Sequence, residues 1–152
     1  MKRTALIVLL LLAAAAARGQ GAEAALNFCG LSIPVVAGCT PEAGCVLRCD
    51  KYELKWSYLD YRQMAAAADV VAKTERKRYK ESEQAPLEGF ILDAPAKGHR
   101  LSYLTDAGMV YQLIFCGVAK GQPVLVQLTM DVDPEKTADL PEVARRIMRL
   151  TK

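Results

Sequence analysis

MVYQLIFCGVAKGQPVLVQLTMDV, residues 109–132, holds two apolar runs parted by Ala119-Lys120-Gly121-Gln122. In the second run Val124, Val126, Leu128, Met130 and Val132 alternate with Leu125, Gln127, Thr129 and Asp131, the period of a strand with one face on a core. The first run, Met109–Val118, is apolar on both faces apart from Gln112, as befits a strand at the centre of a covered sheet. The glycine between them suits the positive φ of a tight turn, so the two runs read as a hairpin.

Working upstream, Leu87–Asp93 and His99–Thr105 read as two more strands, separated by Ala94-Pro95-Ala96-Lys97-Gly98, and Thr105-Asp106-Ala107-Gly108 turns into Met109. A meander therefore runs from Leu87 to Val132. Before it, Cys45 to Tyr58 reads as one half-buried strand, with Tyr52, Leu54, Trp56 and Tyr58 on one face and Lys51, Glu53, Lys55 and Ser57 on the other. Leu31–Ala37 is β-like, and Pro34 suggests an edge. The period changes at Asp60, a suitable N-cap, where Tyr61, Met64, Ala68, Val71 and Ala72 mark a helix running to about Tyr79 and ending before Pro86. After the meander, Leu140, Val143, Ala144, Ile147 and Met148 follow helical spacing, with Asp139 and Glu142 as a capping pair. The predicted order is ββ-α-ββββ-α: an α+β fold with an antiparallel sheet of about six strands, a long inserted helix and a C-terminal helix.

The hairpins from Leu87 to Val132 followed by a helix over Asp139–Leu150 resemble the Mog1/PsbP-like folds, in which a meander leads to a C-terminal helix. The resemblance implies a binding or assembly role without enzymatic activity, and it assigns no site residue.

Lys2 and Arg3 precede an apolar run from Ala5 to Ala17, followed by small residues at Gly19 and Gly21. This is the pattern of a secretory signal peptide, expected to span residues 1–19, with a flexible lead over 20–30 and a single domain over 31–152. The apolar run is short for a bilayer span. Phe28 precedes Cys29 where a lipid-attachment site needs a small residue, so the expected product is periplasmic or extracellular and not lipid-anchored. Removing Lys2, Arg3 and Arg18 takes the 20 basic residues to 17, equal to the 17 acidic ones. A nearly neutral chain lacks the basic excess that phosphate neutralisation asks for, which argues against a nucleic-acid partner.

Cys29, Cys39, Cys45, Cys49 and Cys116 all follow the leader, and an oxidising compartment favours pairing. Cys39 and Cys45 flank a Pro/Gly turn, which makes Cys39–Cys45 the expected bridge; a second is expected between Cys49 and Cys116 or involving Cys29, leaving one thiol free. Cys45 and Cys49 on one strand face would stand roughly 13 Å apart, too far to join. No Cys-x-x-Cys is present, and structural disulfides are favoured over a metal or redox site.

His99 is the single histidine, so any Ser-His-Asp or Cys-His arrangement would have to recruit it. In Gly98-His99-Arg100 it reads as a residue leaving a turn. Asp131, Asp133, Glu135, Thr137, Asp139 and Glu142 fall at the ligand positions of a calcium loop. Lys136 stands where that loop needs glycine, so strand-ending and helix-capping roles are favoured and no metal is expected. Arg76, Lys77, Arg78 and Lys80 complement the dipole at a helix C-terminus; together with the strand face at Lys51, Glu53 and Lys55 they are the candidate partner contacts. The expected function is that of an exported small binding or scaffold protein of the cell envelope, with an unknown envelope or extracellular protein partner, no cofactor and no membrane span after cleavage. The alternative is a secreted enzyme with a carboxylate-based site assembled from several strands.

Overall fold

The computed structural model describes residues 25–42, 45–79 and 81–151. The expected signal peptide and Lys80 lie outside them. The described chain is mostly β, with ten strands and two α-helices, which corrects the six-strand α+β layout. Strands β1 (Ala25–Phe28) and β2 (Leu31–Pro34) form a small sheet of their own. Eight others form one curled antiparallel sheet in the order β10-β6-β7-β8-β9-β5-β4-β3. They are β3 (Cys39–Glu42), β4 (Val46–Cys49), β5 (Tyr52–Tyr58), β6 (Ser82–Ile91), β7 (Ala94–Thr105), β8 (Gly108–Ala119), β9 (Gln122–Met130) and β10 (Met148–Leu150).

The differences have local causes. Residues 25–28 belong to the expected flexible lead, yet Leu26 and Phe28 alternate with exposed neighbours and bury their side chains. The segment read as one strand from Cys45 to Tyr58 is a hairpin turning at Asp50-Lys51, so Lys51 does not share a strand face with Glu53 and Lys55. In the meander, the break expected at Ala94–Gly98 is strand instead, and the turn lies at Leu92-Asp93. Glycine is needed at Gly98 for close approach, since a Cβ there would overlap the carbonyl of Ile114 on β8.

The expected C-terminal helix is divided. Thr137–Asp139 forms a 3₁₀ turn, α2 spans only Glu142–Ile147, and β10 then pairs with β6. Val143, Ala144 and Ile147 do form a buried helical stripe, but Met148 and Leu150 are buried on either side of exposed Arg149, which is strand alternation. The open edge of β6 supplies the ladder partners that make strand the better continuation. Asp139 does not cap α2, whose N-cap is Pro141; its carboxylate accepts the backbone N–H groups of Glu135 (3.0 Å) and Lys136 (3.1 Å).

The long helix α1 (Tyr61–Arg78) follows the predicted position closely. Asp60 is its N-cap, and the Gln63 side chain accepts the Asp60 N–H at 3.3 Å. Each face of the sheet has its own core. Leu113, Phe115, Val124, Val126, Leu128, Leu54 and Trp56 meet β1, β2 and α2 on one side. On the other, Ala72 of α1 covers Leu101, Tyr103, Ile114 and Leu125. Leu125 and Ile114 therefore face apolar cover, as expected for central strands, and Gln112 is 5% exposed between them and the sheet end.

Candidate functional site

The face carrying α1 brings together an acid, the histidine and a cysteine. Asp69, a lone carboxylate in an alanine-rich turn of α1, meets His99 of β7, with Oδ1 2.5 Å from Nε2. The other ring nitrogen, Nδ1, is 2.9 Å from the amide nitrogen of Gln84 on β6, and Arg76 donates to the Gln84 oxygen at 3.3 Å. A consistent proton assignment follows: neutral His99 donates from Nε2 to Asp69 and accepts the Gln84 amide at Nδ1. The chain Arg76–Gln84–His99–Asp69 thus ties α1 to two strands.

Cys116 lines the same groove, of 600 Å³, as His99 and Asp69. It lies on the helix-facing side of β8, two register positions from the His99–Ile114 pair. These three residue types suggest a nucleophile, base and orienting acid, but their bonds do not assemble one. Both His99 nitrogens are engaged, Cys116 Sγ donates to the Met64 carbonyl at 3.3 Å, and burial pushes the thiol pKa up. A reactive thiolate needs its pKa lowered. The arrangement is a brace.

The basic end of α1 is held by a second contact. Tyr79 stacks on Tyr103 with ring centroids 4.0 Å apart and planes 9° apart. Burial, first, and then Tyr79 and Glu75 push the Tyr103 pKa up to about 12. Because the folded value lies above that of a free tyrosine, the contribution to stability is complete below pH 10 and is lost as pH rises through about 12. Tyr103→Phe should therefore flatten the alkaline limb of a stability–pH curve between those values; an unchanged alkaline limb would exclude Tyr103 as its source.

Of the expected partner contacts, Arg76, Lys77 and Arg78 are exposed together at this helix end, where Arg78 lies 3.6 Å from Glu75. Glu53 and Arg78 both act on Tyr103, which places the β5 carboxylate in the same electrostatic neighbourhood. Glu53 itself pairs with Arg48 at 2.9 Å, and Lys55 is exposed on the same strand face. Lys51 is elsewhere, in a groove bordered by Cys39, Cys49 and Tyr52.

The cysteines also differ from expectation. The disulfide joins Cys39 to Cys49, which face each other in the β3–β4 register, and Cys29, Cys45 and Cys116 are free thiols. The calcium-loop residues disperse into other bonds: Asp133 pairs with Arg100, Glu142 with Arg146, and the Thr137 hydroxyl donates to Leu150. No three His, Cys, Asp or Glu side chains converge as a metal set among the described residues. Sequence reasoning missed Asp69 and Gln84; the signal for Asp69 was a single acid within the apolar run from Met64 to Ala72, while Gln84 carried none.

No protein-family model and no curated protein matches this chain.

Proposed function

We propose that the chain is an exported binding or scaffold protein of the cell envelope that meets an acidic protein surface through the basic end of α1, with Glu53 and Lys55 at the margin of the contact. The disulfide and the lack, among the described residues, of a helix long and apolar enough to cross a membrane are in keeping with an exported protein. The observation that carries the reading is that a cationic cluster is presented on a braced element. Lys73, Arg76 and Lys77 are exposed and lack a carboxylate ion pair among the described residues, while Arg76–Gln84–His99–Asp69 and the Tyr79–Tyr103 stack fix the helix end to the sheet. Pre-positioned charge favours specific docking because little side-chain and segment freedom is left to lose.

Combined reversal of Arg76, Lys77 and Arg78 to glutamate should lower the yield of a cross-link placed at Lys73 by roughly tenfold, as expected for loss of charge complementarity. Unfolding should stay cooperative, with a thermal midpoint lowered by the loss of the Arg76–Gln84 bond and of cations that complement the helix dipole. An undiminished cross-link would reject this surface. Turnover of a small substrate abolished by one carboxylate substitution would replace the proposal with the enzyme.

A further inference from the structure

A second feature lies at the turn end of the sheet, on the face opposite α1. There β2, the β6–β7 turn, the β8–β9 turn and α2 enclose a groove of 640 Å³. Its apolar wall comes from the half-buried Leu31, Leu92 and Ala94, and its rim carries Lys120, Arg145, Arg146 and Arg149 against the single carboxylate of Asp93. Two of these cations are already matched, Arg146 by Glu142 at 2.8 Å and Arg149 by Asp93 at 3.0 Å. Arg145 and Lys120 have neither an ion pair nor a side-chain hydrogen bond among the described residues.

The backbone here is unusual as well. Leu92 (φ 54°) and Lys120 (φ 48°) are two of the three non-glycine residues with left-handed φ among the described residues, and both border this groove. Each opens a two-residue hairpin loop, where the turn requires a positive φ, and for a bulky leucine that conformation is costly. It is fixed by the Leu92 N–H, which donates to the Ile147 carbonyl at 2.7 Å and locks the turn to α2. That bond also removes a backbone donor an extended peptide would use. The volume suits one small ligand, for which pockets of about 300–1,000 Å³ are usual.

We infer that this groove binds a single-chain anionic amphiphile of the fatty-acid class, with its carboxylate on Arg145 and Lys120 and its alkyl chain along Leu31, Leu92 and Ala94. The unmatched cations supply the charge complementarity, and charge-assisted bonds to a guanidinium are the stronger kind. The apolar wall distinguishes this ligand from an inorganic anion, which would leave that wall wet. This surface is separate from the α1 contact and does not depend on it.

Calorimetry with octanoate and decanoate below their micelle concentrations tests the inference. One-to-one binding is expected, tightening by roughly fourfold for each further methylene buried. Arg145→Ala with Lys120→Ala should weaken decanoate at least about tenfold, whereas Arg62→Ala, at an exposed cation of α1, should leave it unchanged. Both altered side chains are exposed, and a thermal midpoint near that of the parent would confirm folding. Acetate binding as tightly as decanoate would reduce the groove to an anion site and overturn the proposal. So would absent decanoate binding, binding indifferent to the double substitution, or binding to anionic vesicles alone.

Discussion

Phe28→Ala should destabilise the fold by about 3–5 kcal/mol, the usual cost of truncating a buried phenylalanine. Phe28 is 0% exposed and meets Trp56 edge-on, with ring centroids 5.7 Å apart and planes at 74°. The β1–β2 hairpin shares no ladder with the eight-stranded sheet. Its attachment rests on Leu26, Phe28 and Ile33 entering the core and on the Cys29 N–H donating to the Tyr58 hydroxyl at 3.0 Å. Among the described residues the buried Trp56 Nε1 finds no acceptor, so the aromatic pair holds by packing. Urea unfolding should show the loss as a lower midpoint, with Ser32→Ala, on the exposed side of β2, changing little. A cost for Phe28→Ala below about 1 kcal/mol would mean that the hairpin is not part of the cooperative unit.

Breaking the disulfide should have the next largest effect. Cys39 and Cys49 close a loop of sequence separation 10, for which constraint of the unfolded chain is worth about 3 kcal/mol. Cys39→Ala with Cys49→Ala should lower stability by about that amount, and non-reducing peptide mapping of the parent should recover the Cys39–Cys49 pair. Recovery of Cys39–Cys45 instead would refute the observed register. Cys116 should remain a thiol, because it lies beneath α1 on the sheet face opposite the core that holds the other four cysteines.

That pairing shows where sequence reading stops. Cys39 and Cys45 do flank a turn, but the strand continues through Thr40, Pro41 and Glu42 before reversing, so the register carries the partner four residues further, to Cys49. A register depends on where the reversal falls, and Pro41 made the strand look shorter than it is. The meander was legible because Val124, Val126 and Leu128 alternate cleanly, and α1 because its stripe and N-cap agree. The C-terminal segment was not, since Val143 to Met148 satisfies a helical period over a stretch too short to exclude a change to strand. Whether the chain continues as helix is decided by the vacant edge of β6, a partner more than fifty residues away in sequence. For the same reason the Asp69–His99–Gln84 contacts were invisible: three elements must fold before the residues meet.

The shortness of β10 bears on how the protein behaves in company. Its ladder reaches only Gly89, Phe90 and Ile91, leaving the Ser82–Leu87 part of β6 as the sheet's outer margin. An unpaired margin invites another chain to add a strand and begin a polymer. Here that margin offers exposed Glu83 and a proline, Pro86, that has no N–H to donate. The opposite margin, β3, carries Pro41 together with the Glu42–Arg48 ion pair at 2.9 Å. Both ends of the eight-stranded sheet are thereby poor templates for adding a strand from a second copy.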